Sequence, residues 1–136
     1  MIAVDIPEPA GRTPAALFQA TVNAHSREQV ILATIDGEVA AVAKLAREES
    51  VVVLRGVQVA EKWRGMGLGA RLLEAVALRA TEPSFVIPYG HLEGLYARYG
   101  WRRITDGIPG FLADRCAKYR SKGDDVFVAL RPAPVP

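Results

Sequence analysis

The chain has 136 residues, 50% of them hydrophobic and 24% charged, which suits one soluble globular domain and excludes a disordered or fibrous chain. A net charge of +2 is too small to point to a nucleic-acid partner, and the single cysteine, Cys116, allows no intrachain disulfide. No basic leader and no run of about 20 apolar residues occurs, so a cytoplasmic protein is expected, with no membrane partner and no metal.

After a short extended start, residues 14–25 place Leu17, Phe18, Ala20 and Val22 behind Thr13-Pro14, a cap and first-turn pair, and predict a helix. Residues 30–35 and 38–45 flank Asp36-Gly37 and predict a β-hairpin with a tight turn. Residues 50–60 carry Val51, Val52, Val53, Val57 and Val59, a nearly unbroken apolar run that predicts a central strand buried on both faces. From Gly67 onward Leu68, Leu72, Leu73, Val76 and Ala80 recur at helical spacing, and the helix ends before Pro83. Residues 84–87 predict a short strand stopped by Pro88, and residues 91–99 a helix closed by Gly100. A strand at 101–104 follows, then a long excursion over 105–123 with a helix at 112–119, a last strand at 126–130 and a Pro-rich tail at 131–136. The basic residues between Arg98 and Lys122, Arg115 among them, read more simply as a solvated surface than as an anion site. Cys116 reads as structural. Residues 1–136 form one domain on this reading.

Arg64-Gly65-Met66-Gly67-Leu68-Gly69 lies between the central strand and the amphipathic helix, where unpaired backbone N–H groups and the positive end of the helix dipole converge. Glycines there let an anion approach the amides and allow positive φ. Gly69-Ala70-Arg71 lacks the Lys-Ser/Thr of a P-loop. Gly65 to Ala70 does fit the dinucleotide fingerprint G-x-G-x-x-G/A. Five residues separate it from the strand, however, no strand-ending acid follows about 20 residues on, and the chain is short for repeated βαβ units, so this reading is the weaker one.

Arg64, Gly67 and Gly69 match the GNAT motif of Gln/Arg, two residues, Gly, one residue, Gly/Ala. Val57-Gln58-Val59 looks like that family's preceding strand, and Leu95-Tyr96-Ala97-Arg98-Tyr99-Gly100-Trp101 looks like its second signature. The sequence thus resembles the GNAT superfamily of acetyl-coenzyme A-dependent N-acetyltransferases, from about residue 50 to residue 104. The resemblance implies an α/β (layered α+β) fold with a mixed central sheet flanked by helices. It implies acetyl-coenzyme A as cosubstrate, held by the amides of Gly65, Met66, Gly67, Leu68, Gly69 and Ala70, with Arg64, and with Arg71 reaching a phosphate or standing in solvent. It implies that backbone groups of Val57 and Val59 meet the pantetheine arm and that Tyr96 is the general acid, with a packed helix tyrosine as the plainer reading. Tyr99, Trp63 and Trp101 are expected to be packing residues.

Two departures stand out: Tyr89 replaces a frequent asparagine and Glu61 a frequent proline. No carboxylate falls in residues 50–60, which leaves Glu61 and His91 as weak candidates for a general base. The expected acceptor is a small-molecule or peptide primary amine that attacks the thioester directly. The segment 107–119 is expected to wall the acceptor site, with Asp106, Asp114, Asp124 and Asp125 available to a cationic amine. A non-catalytic acyl-coenzyme A sensor of the same fold is the alternative, and homodimerisation is left open.

Overall fold

The computed structural model describes residues 16–22 and 28–134. Asp36 and Gly37 carry positive φ angles of 51° and 80°, a two-residue turn whose twist matches that of the strands it joins. Those strands are β2 (Gln29–Ile35) and β3 (Glu38–Glu48), and the turn is where the sequence places it. Glu49 and Ser50, at 44° and 71°, repeat the device between β3 and β4 (Val51–Val59) without a glycine.

The remaining elements are β1 (Leu17–Val22), α1 (Leu68–Arg79), β5 (Ser84–Val86), α2 (Glu93–Arg98), β6 (Arg102–Arg103), α3 (Gly110–Ser121) and β7 (Ala129–Arg131). They build a seven-stranded mixed sheet in the order β1-β2-β3-β4-β5-β7-β6, in which only β4 and β5 pair in parallel. One face is covered by α1 and α2: Leu68, Leu72, Leu73 and Val76 pack with Ile31, Ala43, Leu54 and Val57. On the other, α3 lays Leu112 and Cys116 over Val53, Phe85, Ile87 and Val128. Cys116 is buried, so its structural reading fits. Among the described residues no helix is long and apolar enough to cross a membrane.

The helix expected at 14–25 is a strand where it can be described. Along β1, Phe18 and Ala20 turn toward the core while Leu17, Gln19 and Thr21 face solvent, a period of two rather than 3.6. Pairing with β2 over its whole length, from Leu17↔Thr34 to Val22↔Gln29, overrides the helical capping signal. Residues 14, 15 and 23–25 lie outside the described residues. Several boundaries also move; the strand expected at 126–130, for one, begins only at Ala129. The expected 101–104 strand shrinks to Arg102–Arg103, α3 runs a turn longer than 112–119, and Arg131 pairs with Ser84 as the end of β7 instead of opening the tail. In β4 only the stretch at Val53 and Leu54 is buried on both faces, since Arg55 and Gln58 are exposed.

Two non-glycine residues at positive φ each cost on the order of 1 kcal/mol. Replacing Glu49 with Asn and Ser50 with Gly is therefore expected to raise stability by about 1 kcal/mol, a few degrees in Tm. Calorimetry showing no gain would mean that the strands impose no strain on this turn.

Candidate functional site

The site begins with an irregularity in β4. Val42 pairs with Gln58 and Lys44 with Arg55, so Ala43 of β3 faces two residues, Gly56 and Val57. Gly56 has φ +62°, the left-handed conformation of a glycine bulge, which bends a strand and re-aims the residues beyond it. On its other side β4 pairs with β5 only at Val52↔Ser84 and Val53↔Phe85. Beyond these two pairs β5 ends, and Pro88, which has no N–H, comes two residues after Val86. The stretch from Leu54 to Val59 thus makes its sheet contacts on the β3 side alone.

The side chains of Val57 and Val59 are buried in the core, leaving only their main-chain groups for any ligand. Ala60 N–H donates to the Ala40 carbonyl, and Arg64 Nε donates to the Val59 carbonyl at 3.0 Å. Arg64 therefore ties the glycine turn back to the end of β4. A short 3-10 turn, Glu61–Trp63, fills the gap, with Lys62 over the Trp63 ring and 3.3 Å from Glu38. Trp63 packs against the core, as expected.

Gly65 and Gly67 have φ of +79° and +76°, conformations that other residues avoid. Gly67 is the N-cap of α1, no side chain caps that end, and no acidic residue stands in the first turn. Among the described residues no side chain caps the helix mouth, and a Cβ at Gly65 would meet nothing within 4 Å, so the turn is open at Gly65. Leu68 and Gly69 are buried and Ala70 is partly so, which again leaves amides as their offering, while Met66 is 39% exposed. Arg71 does not stand free in solvent: its guanidinium lies over the Phe18 ring at 5.1 Å.

Tyr96 sits on α2 and is fully buried. Its hydroxyl has no hydrogen-bond partner among the described residues, and burial pushes its pKa above the ordinary phenol value, so the group stays protonated at any physiological pH. Its neighbours are not so treated. Trp101, edge-on to Tyr96 at 6.3 Å, donates its indole N–H to Ser84 Oγ at 3.1 Å. Arg131 Nη1 is also unpaired, but that guanidinium stacks on Trp101 at 5.6 Å and donates through Nε to the Tyr99 carbonyl. Tyr99 and Trp101 are packing residues, in line with their expected roles.

Of the weak base candidates, Glu61 lies exposed in the 3-10 turn and His91 is exposed with its ring stacked on Tyr89. Tyr89, at the position of the departure from the family pattern, bridges to Val126. A cavity of about 400 Å³ opens between the exposed face of β4 and α3, lined by Val53, Arg55, Gln58, Ile87, Arg115 and Tyr119 among others. None of Asp106, Asp114, Asp124 and Asp125 lines it. Arg115 is bound through both terminal nitrogens to Glu48, at 2.8 and 3.3 Å, a contact that holds it further in its charged form. Sequence reading expected a wall from residues 107–119 but took Arg115 for a solvated surface charge and gave Arg55 and Gln58 no part in it. The signals were present: Arg55 and Gln58 interrupt the valines of β4, and Arg115 and Tyr119 stand four residues apart on one helix face.

The model of the Acetyltransferase (GNAT) domain matches residues 12–108. No curated protein sequence matches the chain. Among solved structures, an acyl-CoA N-acyltransferase from Pseudomonas aeruginosa is 26% identical, with a TM-score of 0.58 over 77% of this chain and 68% of that one. Escherichia coli ElaA is 20% identical, with a TM-score of 0.59 over 77% and 68%. A GNAT family acetyltransferase from Elizabethkingia anophelis, solved with acetyl-CoA bound, is 21% identical, with a TM-score of 0.56 over 77% and 76%. The last two speak to the fold alone. Because the domain match runs without a break from before β1 to beyond β6, well over half of the sequence, the chain belongs to the GNAT family of acetyltransferases.

Proposed function

We propose that this protein moves an acetyl group from acetyl-coenzyme A to a primary amine by direct attack, with Tyr96 as the proton donor. The observation that carries the reading is the Tyr96 hydroxyl, fully buried and unpartnered. Leaving such a group unsatisfied costs about 1–3 kcal/mol. A protonated donor kept idle in the core, in a neighbourhood that pairs the adjacent indole N–H, suits a partner that arrives with the cosubstrate.

The other residues fit the same ligand. The uncapped start of α1 and the open cradle at Gly65 suit a diphosphate, which main-chain N–H groups and the helix dipole attract. Arg64 is committed to the Val59 carbonyl, so its part is to shape the turn. The edge of β4 beyond Val53, unpaired with β5, offers backbone donors and acceptors to a pantetheine amide. Val57 and Val59 supply main chain there, and their side chains hold the strand in the core. Bound acetyl-coenzyme A supplies a polarisable thioester carbonyl and a thiolate leaving group. Tyr96 has the proton that thiolate needs, and its surroundings exclude water from the exchange. The site reaches the family's chemistry with no side-chain carboxylate on β4, which suits an amine that loses its proton to solvent before attack.

The test is Tyr96→Phe with thiol release as the readout. Turnover is expected to fall by roughly a hundredfold or more, while acetyl-coenzyme A affinity holds and stability stays level or rises by about 1 kcal/mol. Wild-type turnover retained in the variant would remove Tyr96 from the mechanism. Binding of acetyl-coenzyme A by the wild type without thiol release on a broad amine panel would favour an acyl-coenzyme A sensor instead.

The raised pKa carries a second expectation. Above about pH 10 the unfolded chain releases the Tyr96 proton and the folded chain keeps it, so stability present below that pH is lost as pH rises. Wild type should lose up to about 1.4 kcal/mol per pH unit more than Tyr96→Phe there. Parallel denaturation profiles for the two proteins would mean that the phenol is not desolvated.

The glycine turn is tested against a strain-matched control. Gly65 and Gly123 both have positive φ and open space at Cβ. Alanine at either should cost about 1–2 kcal/mol of stability, but only Gly65→Ala should weaken acetyl-coenzyme A binding, by about tenfold or more. Calorimetric titration giving equal affinities for the two variants would place the phosphates elsewhere.

A further inference from the structure

We infer that the acceptor amine carries a carboxylate, received by Arg55 and Arg115 in the cavity between β4 and α3. This rests on the acyl-transfer reading for the word acceptor, but the anion site stands on its own observations. The cavity, about 400 Å³, is the size of a small-molecule site, and its wall holds two guanidinium groups, the Gln58 amide and the Tyr119 phenol with apolar Val53 and Ile87. No carboxylate lines it among the described residues.

Both cations are anchored from behind. Arg115 gives Nη1 and Nη2 to the two oxygens of Glu48, and Arg55 gives Nη2 to Glu28 at 2.7 Å, with its Nη1 3.9 Å from Glu48. A guanidinium has five N–H donors, so these contacts orient each fork without exhausting it. The Nε–H of each donates to no group among the described residues. The glutamate side chains are 17% and 18% exposed, whereas Arg115 is 31% and Arg55 49% exposed. The cations, and not the acids, line the cavity that a ligand would enter. A planar carboxylate matches the remaining donors, and positioned arginines of this kind favour bidentate anions over point charges. Glu28 and Glu48 balance the charge of the two guanidinium groups, so what selects the tail is the N–H donors left over, which a carboxylate accepts from and an ammonium cannot.

The cavity also borders the stretch of β4 that β5 leaves unpaired. One wall is β4 itself, whose opposite face packs against α1 and α2, and Gln58 stands at the bulged, β5-free end of the strand. The other wall is α3, which falls beyond the stretch matched by the family domain. The acceptor's tail is thus met in part by a segment outside the matched domain.

The experiment uses the full-length protein and three amines of equal chain length that differ at the far end: aminovalerate, pentylamine and cadaverine. Thiol release is measured with acetyl-coenzyme A, and binding of aminovalerate and of valerate alone is followed by NMR at the Nε–H signals of Arg55 and Arg115. Aminovalerate is expected to exceed the other two by about tenfold or more in kcat/KM, and both carboxylates should shift the two Nε–H signals. Arg115→Gln should raise KM for aminovalerate by about tenfold and collapse its advantage over pentylamine, and Arg115→Lys should restore only part of it. Carboxylate binding at the arginines with no thiol release from any amine upholds the anion site and sinks acyl transfer. Turnover of cadaverine or pentylamine that equals turnover of aminovalerate, or Nε–H signals unmoved by either carboxylate, overturns the anion site while leaving acyl transfer intact.

Discussion

β4 cannot pair fully with both neighbours, and the rest of the molecule is arranged around that constraint. The extra residue at Gly56 bends it, and β5 stops at Val86, so the parallel contact is limited to Val52↔Ser84 and Val53↔Phe85. A strand with one bare edge inside a sheet exposes backbone donors and acceptors that must find partners. In most folds that is a liability. In this one the bare edge lies near the uncapped mouth of α1 in sequence, only eight residues separating Val59 from Leu68, and Arg64 closes the connection by holding the Val59 carbonyl. The edge of β4 that β5 leaves unpaired and the start of α1 are thereby tied together through one side chain, and the proposed cosubstrate, with phosphates at one end and amides along its arm, has groups suited to both.

Elsewhere among the described residues, the buried and half-buried polar side chains beside the site have at least one partner, although Arg131 keeps one nitrogen, Nη1, unpaired. Trp101 finds Ser84, Arg131 finds the Tyr99 carbonyl and a ring face, and Arg120 reaches the Val126 carbonyl. Tyr96 finds nothing. A phenylalanine would fill the same space without an orphaned hydroxyl, so the oxygen is retained at a cost to stability. Selection for a function that needs the proton is the simplest account of that cost.

The site-bearing half of the fold was legible in the sequence because its signals are local. Asp36-Gly37 permits few conformations, the leucine spacing after Gly67 demands a helix, and the glycine turn between them has one placement. The edges were less legible. Residues 17–22 have the composition of either element, and only pairing with β2 makes them a strand, an interaction between residues up to 17 apart in sequence that no local period encodes. Tyr96 was visible through its signature, but its lack of a partner is a property of packing. The charge pairing in the cavity wall was invisible for the same reason: residues 107–119 were expected to wall a site, but Glu48 and Arg115 are 67 residues apart, and what makes Arg115 more than a surface charge is the acid that holds it.

β6 and β7 are adjacent antiparallel neighbours, Arg102↔Leu130 and Arg103↔Ala129, and the chain leaves the sheet between them only to come back to the same place. A loop whose two ends already touch can grow, shrink or be exchanged at little entropic penalty. The helix it carries, α3, supplies Arg115 and Tyr119 and none of the glycine turn. The part of the molecule that carries the cavity's charged wall can therefore be exchanged at a single surface seam without disturbing the glycine turn.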